Sequence, residues 1–202
     1  MKILLIVVAV LAVLAGVFLV VVYSGVYDVA ASSPDNGLVA WALTTTQDRS
    51  IERHAAGIEA PPLDSPELLA TGLIHYHEMC VTCHGAPGVP ASEIGAGLNP
   101  FPPELDEEAE EFSPGELFWI VKNGIKMTGM PAFGPTHTDE QLWAIVAFVR
   151  TLPKTSAKDY ARAVQEAGLE GAAGEAAEPT GAPGEEHSHT HPDGTEHRHD
   201  GR

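Results

Sequence analysis

Two cysteines and a histidine at fixed spacing dominate the chemistry that this sequence could perform. Cys80 and Cys83 are the only cysteines among the 202 residues, and His84 directly follows the second. Two thiols three positions apart on a helical turn can each add to one of the two vinyl groups of a haem, and the adjacent imidazole can then coordinate the iron. The pattern therefore predicts one covalent haem c, attached through Cys80 and Cys83, with His84 as an axial ligand.

The same two thiols could instead form a redox-active pair or take part in a zinc site. A redox CxxC is expected next to a strand–helix–strand pattern, which the surrounding sequence does not show. A structural zinc site needs four ligands, and the chain has no third cysteine. Haem attachment is the interpretation that the sequence favours.

A methionine downstream is the best candidate for the second axial ligand. Met opposite His is a usual pairing in electron-transfer haems, because a thioether is a soft and neutral ligand. Met130 lies 46 positions after the CxxCH motif, between a glycine that lets the chain turn and a proline that fixes φ. Met127 is the rival, with core packing as its plainer interpretation, and His137 could coordinate only by displacing Met130. We therefore predict Met130 as the ligand.

Three helices are predicted to position these residues. The first begins at Ser65, an N-cap followed by proline, and runs to about Met79. Capping boxes at 113–116 and 138–141 open the other two, which end near residue 123 and before Pro153. His75 and His77 lie two positions apart on the first helix, on different faces, and are predicted to be surface residues.

A crossing between the first and last helices is also indicated. Gly72 and Tyr76, one turn apart, form a small-then-large face, and Trp143 and Phe148 are large side chains that could fill the space beside the glycine. Between the first two helices, residues 85–111 are rich in Gly and Pro and are predicted to be irregular, as a covering for the haem edge.

From about Ser65 to Leu152 the chain resembles a class I c-type cytochrome. The resemblance rests on the features just described: Gly72 and Tyr76, the CxxCH motif at 80–84, the Gly-Met-Pro loop at 129–131, and the last helix with Trp143 and Phe148. It implies an all-α, small class I cytochrome c fold around one covalent haem with one exposed edge. It also implies thioether attachment by Cys80 and Cys83 and axial ligation by His84 and Met130.

The N-terminus carries a predicted membrane anchor. Ile3 to Val22 is an uncharged run of 20 residues, which as a helix of about 1.5 Å per residue matches a bilayer core of about 30 Å. A cleaved signal peptide is the alternative, but its apolar region is typically shorter, about 7–15 residues. Lys2 before the run and Asp28 after it indicate a single-pass helix of a bacterial cytoplasmic membrane, with the haem domain on the periplasmic side.

The C-terminal part has a different composition from the rest. It fades into Gly, Ala, Glu and Pro with little apolar bulk, and it is predicted to be disordered. Five histidines there could bind Cu, Ni or Zn as a second metal site, although a solvated polar tail is the plainer interpretation; they are His187, His189, His191, His197 and His199. The predicted layout is an anchor at 1–28, a linker with an amphipathic helix at 29–64, a cytochrome c domain at 65–153 and a flexible tail at 154–202.

These features lead to a functional prediction and two alternatives. A net charge of −17 argues against nucleic acid as a partner and suits basic redox proteins. We predict a membrane-tethered electron carrier, not an enzyme in itself, whose partners are membrane or periplasmic redox proteins. The alternatives are a metal-handling or metal-sensing haem protein that uses the His-rich tail, and a haem enzyme such as a peroxidase, which needs an open axial position.

Overall fold

A computed structural model describes residues 1–33, 35–169, 188–190 and 196–198. The domain is all-helical, as the sequence predicts. A five-residue π-helical segment, Tyr76–Cys80, joins two of the helices, and a 3-10 turn, Leu152–Lys154, precedes the last. The α-helices are α1 (Lys2–Ser24), α2 (Gly37–Ala55), α3 (Pro66–His75), α4 (Val81–His84), α5 (Glu93–Ala96), α6 (Leu105–Glu108), α7 (Pro114–Asn123), α8 (Asp139–Val149) and α9 (Ala157–Glu166).

Helix α1 is long and apolar enough to cross a membrane. It has 23 residues and a mean hydropathy of 3.4 over its most apolar window, and all of its residues are exposed. At about 1.5 Å per residue it is roughly 35 Å long, slightly more than a bilayer core. Gly25 ends it in the left-handed conformation, with φ of 69°.

The core forms where α3 crosses α8. A Cβ on Gly72 would collide with the carbonyl oxygen of Ala144 and would lie 2.7 Å from Cβ of Phe148. Phe148 therefore occupies the space beside the glycine, as expected. Trp143 does not, because its ring stacks on Phe118 with centroids 4.2 Å apart. The glycine thus allows the two backbones to approach closely.

The predicted helix starts are confirmed by their caps. The hydroxyl of Ser65 accepts a hydrogen bond from the amide of Leu68 at 3.1 Å. At α7 and α8 both halves of the capping box form, from the pairs Ser113–Glu116 and Thr138–Gln141. These interactions satisfy amide groups that the first helical turn leaves without partners. They are local in sequence, so the sequence pattern is enough to predict them.

Helices outside 65–153 also contribute to the core. Ile51 and Ala55 of α2 are buried, and α2 packs on α7. In α9, Tyr160 is 2% exposed and its hydroxyl lies 2.9 Å from Nδ1 of His77. His77 is only 7% exposed, so the prediction that it is a surface residue is wrong. Its buried Nδ1 has a hydrogen-bond partner, Tyr160, from a later helix, which the local spacing of residues cannot reveal.

Beyond Leu169, the described residues of the tail form two short strands. Ser188–Thr190 and Glu196–Arg198 pair antiparallel, with His189 opposite His197 in the register. The remainder of the predicted disordered tail lies outside the described residues, and so do His187, His191 and His199.

Candidate haem site

A cavity lies next to the second cysteine and the histidine of the motif. Its volume is about 450 Å³, within the range of about 300–1,000 Å³ usual for small-molecule and cofactor sites. Most of its lining residues are apolar or small, and two of them carry carboxylates. The lining residues are Cys83, His84, Gly85, Ala86, Gly88, Val89, Pro90, Ala91, Ala96, Phe101, Pro102, Glu104 and Asp106.

The His84 imidazole is held in one orientation by the backbone. His84 is the last residue of α4, and its Nδ1 donates a hydrogen bond to the carbonyl oxygen of Pro103 at 2.9 Å. With its proton on Nδ1, the ring presents Nε2 as a lone-pair donor. Burial lowers the pKa of His84, and this outweighs the opposite effect of the hydrogen bond to Pro103. The ring is therefore favoured in the neutral form that coordinates a metal.

Tyr76 fixes the turn that follows the motif. It is fully buried, and its hydroxyl donates to the carbonyl oxygen of Gly85 at 2.7 Å. Gly85 has φ of 65°, which residues other than glycine rarely adopt, and a Cβ there would lie 2.7 Å from the carbonyl oxygen of Val89. The sequence identified Tyr76 as a packing residue but gave no indication of this hydrogen bond.

The two thiols occupy different environments. Neither is in a disulfide. Cys83 is partly exposed and lines the cavity, whereas Cys80 is 8% exposed and does not. Burial, together with the nearby Cys83, raises the pKa of Cys80 to about 12. Gly95 of α5 packs tightly on Cys83, since a Cβ there would lie 2.7 Å from the Cys83 carbonyl oxygen.

The two methionine candidates differ in exposure. Met127 is 77% exposed and has φ of 62°, so it is not the core residue that the plainer interpretation suggested. Met130 is partly buried and packs against the core. Its amide donates to the hydroxyl of Thr128 at 3.0 Å, and its carbonyl oxygen accepts from the amide of Ile125 at 3.2 Å. Both backbone groups of Met130 are thus held.

The segment after the motif links the methionine loop to the cysteines. Leu98 follows α5, and its side chain fills the space next to Gly129, where a Cβ would lie 2.5 Å from a Leu98 methyl carbon. Gly95, three residues earlier, is the residue that packs on Cys83. The loop before Met130 is thus linked through Leu98 to the helix that packs on Cys83, although Met130 does not line the cavity itself.

A family model described as "Cytochrome C oxidase, cbb3-type, subunit III" matches residues 67–149. These residues form a c-type cytochrome domain. No curated protein matches the chain. A cytochrome c domain implies a covalent haem c, and the local chemistry fits one: two free thiols three positions apart, a neutral imidazole with Nε2 available, and a cavity of about 450 Å³ next to Cys83 and His84.

The other histidines of the cytochrome domain have partners of their own. His137 lies with Nδ1 2.9 Å from the Thr136 hydroxyl, and its ring meets that of His75 edge to face at 5.3 Å between centroids. Within the described residues there is no cluster of three or more His, Cys, Asp or Glu side chains that could hold a metal ion. The metal site predicted for the tail falls on residues whose side chains the structure does not describe.

Proposed function

We propose that this protein is a membrane-tethered monohaem cytochrome c that passes single electrons between redox partners. Cys80 and Cys83 would form the two thioether bonds, and His84 and Met130 would be the axial ligands of a six-coordinate iron. The observation that supports this most strongly is the hydrogen bond from Nδ1 of His84 to Pro103, because it fixes both the tautomer and the orientation that a ligand needs.

Several contacts support Met130 over Met127. The chain turns at Gly124, with φ of 64°, and a Cβ there would lie 2.8 Å from the Met130 carbonyl oxygen. Together with the bonds to Thr128 and Ile125, this leaves the backbone of Met130 little freedom. The side chain of Met127 is largely exposed to water, so the loop that carries it would have to change its conformation before Met127 could act as a ligand.

The proposed chemistry needs little from the protein beyond ligation and burial. The haem iron supplies the change between the ferrous and ferric states, and a Met ligand favours a higher potential. The chain's own residues keep an imidazole neutral, hold the backbone of the methionine that carries the thioether, and line the cavity beside the motif. With both axial positions occupied by protein, no open position remains for a substrate, so we propose a carrier in place of a peroxidase.

The tether in this proposal is α1. Its length, its hydropathy and the exposure of all its residues support a membrane span, and the charges at its two ends favour the haem domain on the outer, periplasmic side of a bacterial cytoplasmic membrane. The family description refers to a cbb3-type cytochrome c oxidase, and such an oxidase is our candidate partner. The protein would then be an electron-carrying subunit of that complex or a donor to it.

Two measurements on the full chain test the proposal. Haem that stays bound after denaturation, at one per chain, is expected, and it should be lost from a Cys80→Ser, Cys83→Ser double variant. Membranes are washed at high pH, and mass spectrometry of the protein that stays in them should show a chain that still carries α1. Non-covalent haem would contradict the haem assignment, and a mature chain that begins after Ala31 would contradict the tether.

A further inference from the structure

The first two turns of α2 form an exposed apolar surface. Residues 37–43 are all uncharged and mostly apolar. Leu38 is 70% exposed and Trp41 is 65% exposed, although both are large apolar side chains. The later turns of the same helix carry the charged residues and the two side chains that α2 buries, Ile51 and Ala55. One end of α2 is therefore apolar, with Leu38 and Trp41 largely exposed, and the other end is polar and docked on the domain.

The docked end is fixed to the domain by several contacts. Ile51 is 2% exposed, and the ring of His54 stacks on that of Trp119 in α7 with centroids 5.5 Å apart. Arg49 pairs with Glu52 at 2.8 Å on the exposed side. This half of α2 resembles an ordinary surface helix of a folded domain, and its charged side chains are suited to water.

The apolar end lies close along the chain to the end of α1. Only residues 25–36 separate the two helices, and within 28–33 Asp28 accepts hydrogen bonds from the amide of Ala30 and the hydroxyl of Ser33. The Ser33 carbonyl oxygen accepts a hydrogen bond from Asn99 of the domain at 3.1 Å. Nine residues from Ser24 to Ser33 can span at most about 30 Å, so this contact tethers the domain near the end of α1.

We propose that residues 37–43 insert into the headgroup region of the bilayer next to α1 and form a second contact between the protein and lipid. This inference rests on the proposed function, since α1 must span the membrane for lipid to be there. Trp and Leu are side chains that settle at a membrane interface. Seven helical residues are about 10 Å long, comparable to the depth of about 5–10 Å that interfacial helices reach.

The insertion holds the cytochrome domain at a fixed height above the membrane. The apolar end of α2 lies in lipid, and the other end is docked on α7, where the His54 ring stacks on Trp119. The haem cavity then keeps one distance and one orientation relative to the bilayer. A carrier held in this way serves a membrane-embedded partner beside it and does not search freely on a flexible stalk.

Spin labels on the full haem-loaded chain in phospholipid nanodiscs test the insertion. A single nitroxide is attached at Trp41→Cys, with a matched label at Glu52→Cys on the polar half of α2 and a third at Val13→Cys in α1. Each measurement is compared with the same sample under nitrogen, so that the effect of the haem iron on the label is subtracted. Collisions with oxygen, which concentrates in lipid, are compared with collisions with a water-soluble nickel chelate.

We expect the label at 41 to show an oxygen-to-nickel accessibility ratio severalfold higher than the label at 52. Equal ratios at 41 and 52 would overturn the insertion, and so would a label at 41 that is shielded from both reagents, because shielding indicates a protein partner on this surface. The label at 13 separates the two proposals. If it is not in lipid, the anchor itself fails, whereas a lipid-exposed label at 13 with a water-exposed label at 41 overturns only the insertion.

Discussion

At the scale of single residues, Gly72 sets how closely α3 and α8 can approach. Any side chain at this position meets the backbone of α8, because the nearest atom to an added Cβ is the carbonyl oxygen of Ala144. A backbone atom in a helix cannot rotate away as a flexible side chain can. The replacement therefore has to separate the two helices, which carry most of the core.

Gly72→Ala is expected to destabilise the protein by about 1–3 kcal/mol, the usual range for overpacking a tight contact. Urea unfolding followed by circular dichroism measures this. Gly37→Ala is the matched control, since it lies at the start of α2 with nothing within 4 Å of the added carbon. Equal stability of the two variants would contradict the close crossing.

The buried pair of His77 and Tyr160 supports a second prediction. Tyr160→Phe leaves Nδ1 of His77 buried without a partner, which should cost about 1–3 kcal/mol, whereas Tyr23→Phe at an exposed position should cost nothing measurable.

Burial also raises the pKa of Tyr160 to about 12 from 10.0. The unfolded chain loses this proton first, so stability should fall as the pH rises above about 10, and less steeply in Tyr160→Phe. Identical alkaline profiles would contradict this prediction.

At the scale of elements, α9 belongs to the folded unit. Tyr160 and Val164 are both buried in the core, and the Cβ of Ala157 lies next to Gly88 in the turn after the motif. We expect a chain that ends after Thr155 to lose several kcal/mol of stability, since full burial of each large apolar side chain contributes about 1.5–3 kcal/mol. A chain that ends after Leu169 keeps α9 and is the control. Thermal unfolding compares them, and equal midpoints would show that α9 adds nothing.

Sequence patterns predict the elements of this fold better than their contacts. The capping boxes of α7 and α8 and the cysteine motif depend on residues close together in the chain, so their spacing was sufficient. The burial of His77 and the docking of α2 depend on partners in α9 and α7, far away in sequence. The Pro103 carbonyl that orients His84 is a backbone atom, and the type of side chain at that position carries no signal for it.

At the scale of the whole molecule, charge is expected to control encounters with partners. The chain has a net charge of −17, and Glu104 and Asp106 line the cavity next to Cys83 and His84. Electron transfer to a basic soluble redox protein should therefore slow as ionic strength rises, because salt screens the attraction. Stopped-flow kinetics measures the salt dependence. Glu104→Gln should make the rate depend less on salt, and Glu52→Gln on α2 should leave the salt dependence unchanged. A rate that rises with salt would contradict the prediction.

The most direct test of the proposed electron carrier is to identify the sixth ligand of the haem iron. The measurement is the midpoint potential of the haem, with CO binding to the ferrous form, in Met130→Ala and Met127→Ala variants of the full chain. We predict that Met130→Ala lowers the potential and allows prompt CO binding, because it removes a protein ligand from the iron. Met127→Ala should leave both unchanged. The reverse result, or prompt CO binding by the unmodified protein, would contradict a six-coordinate carrier ligated by His84 and Met130.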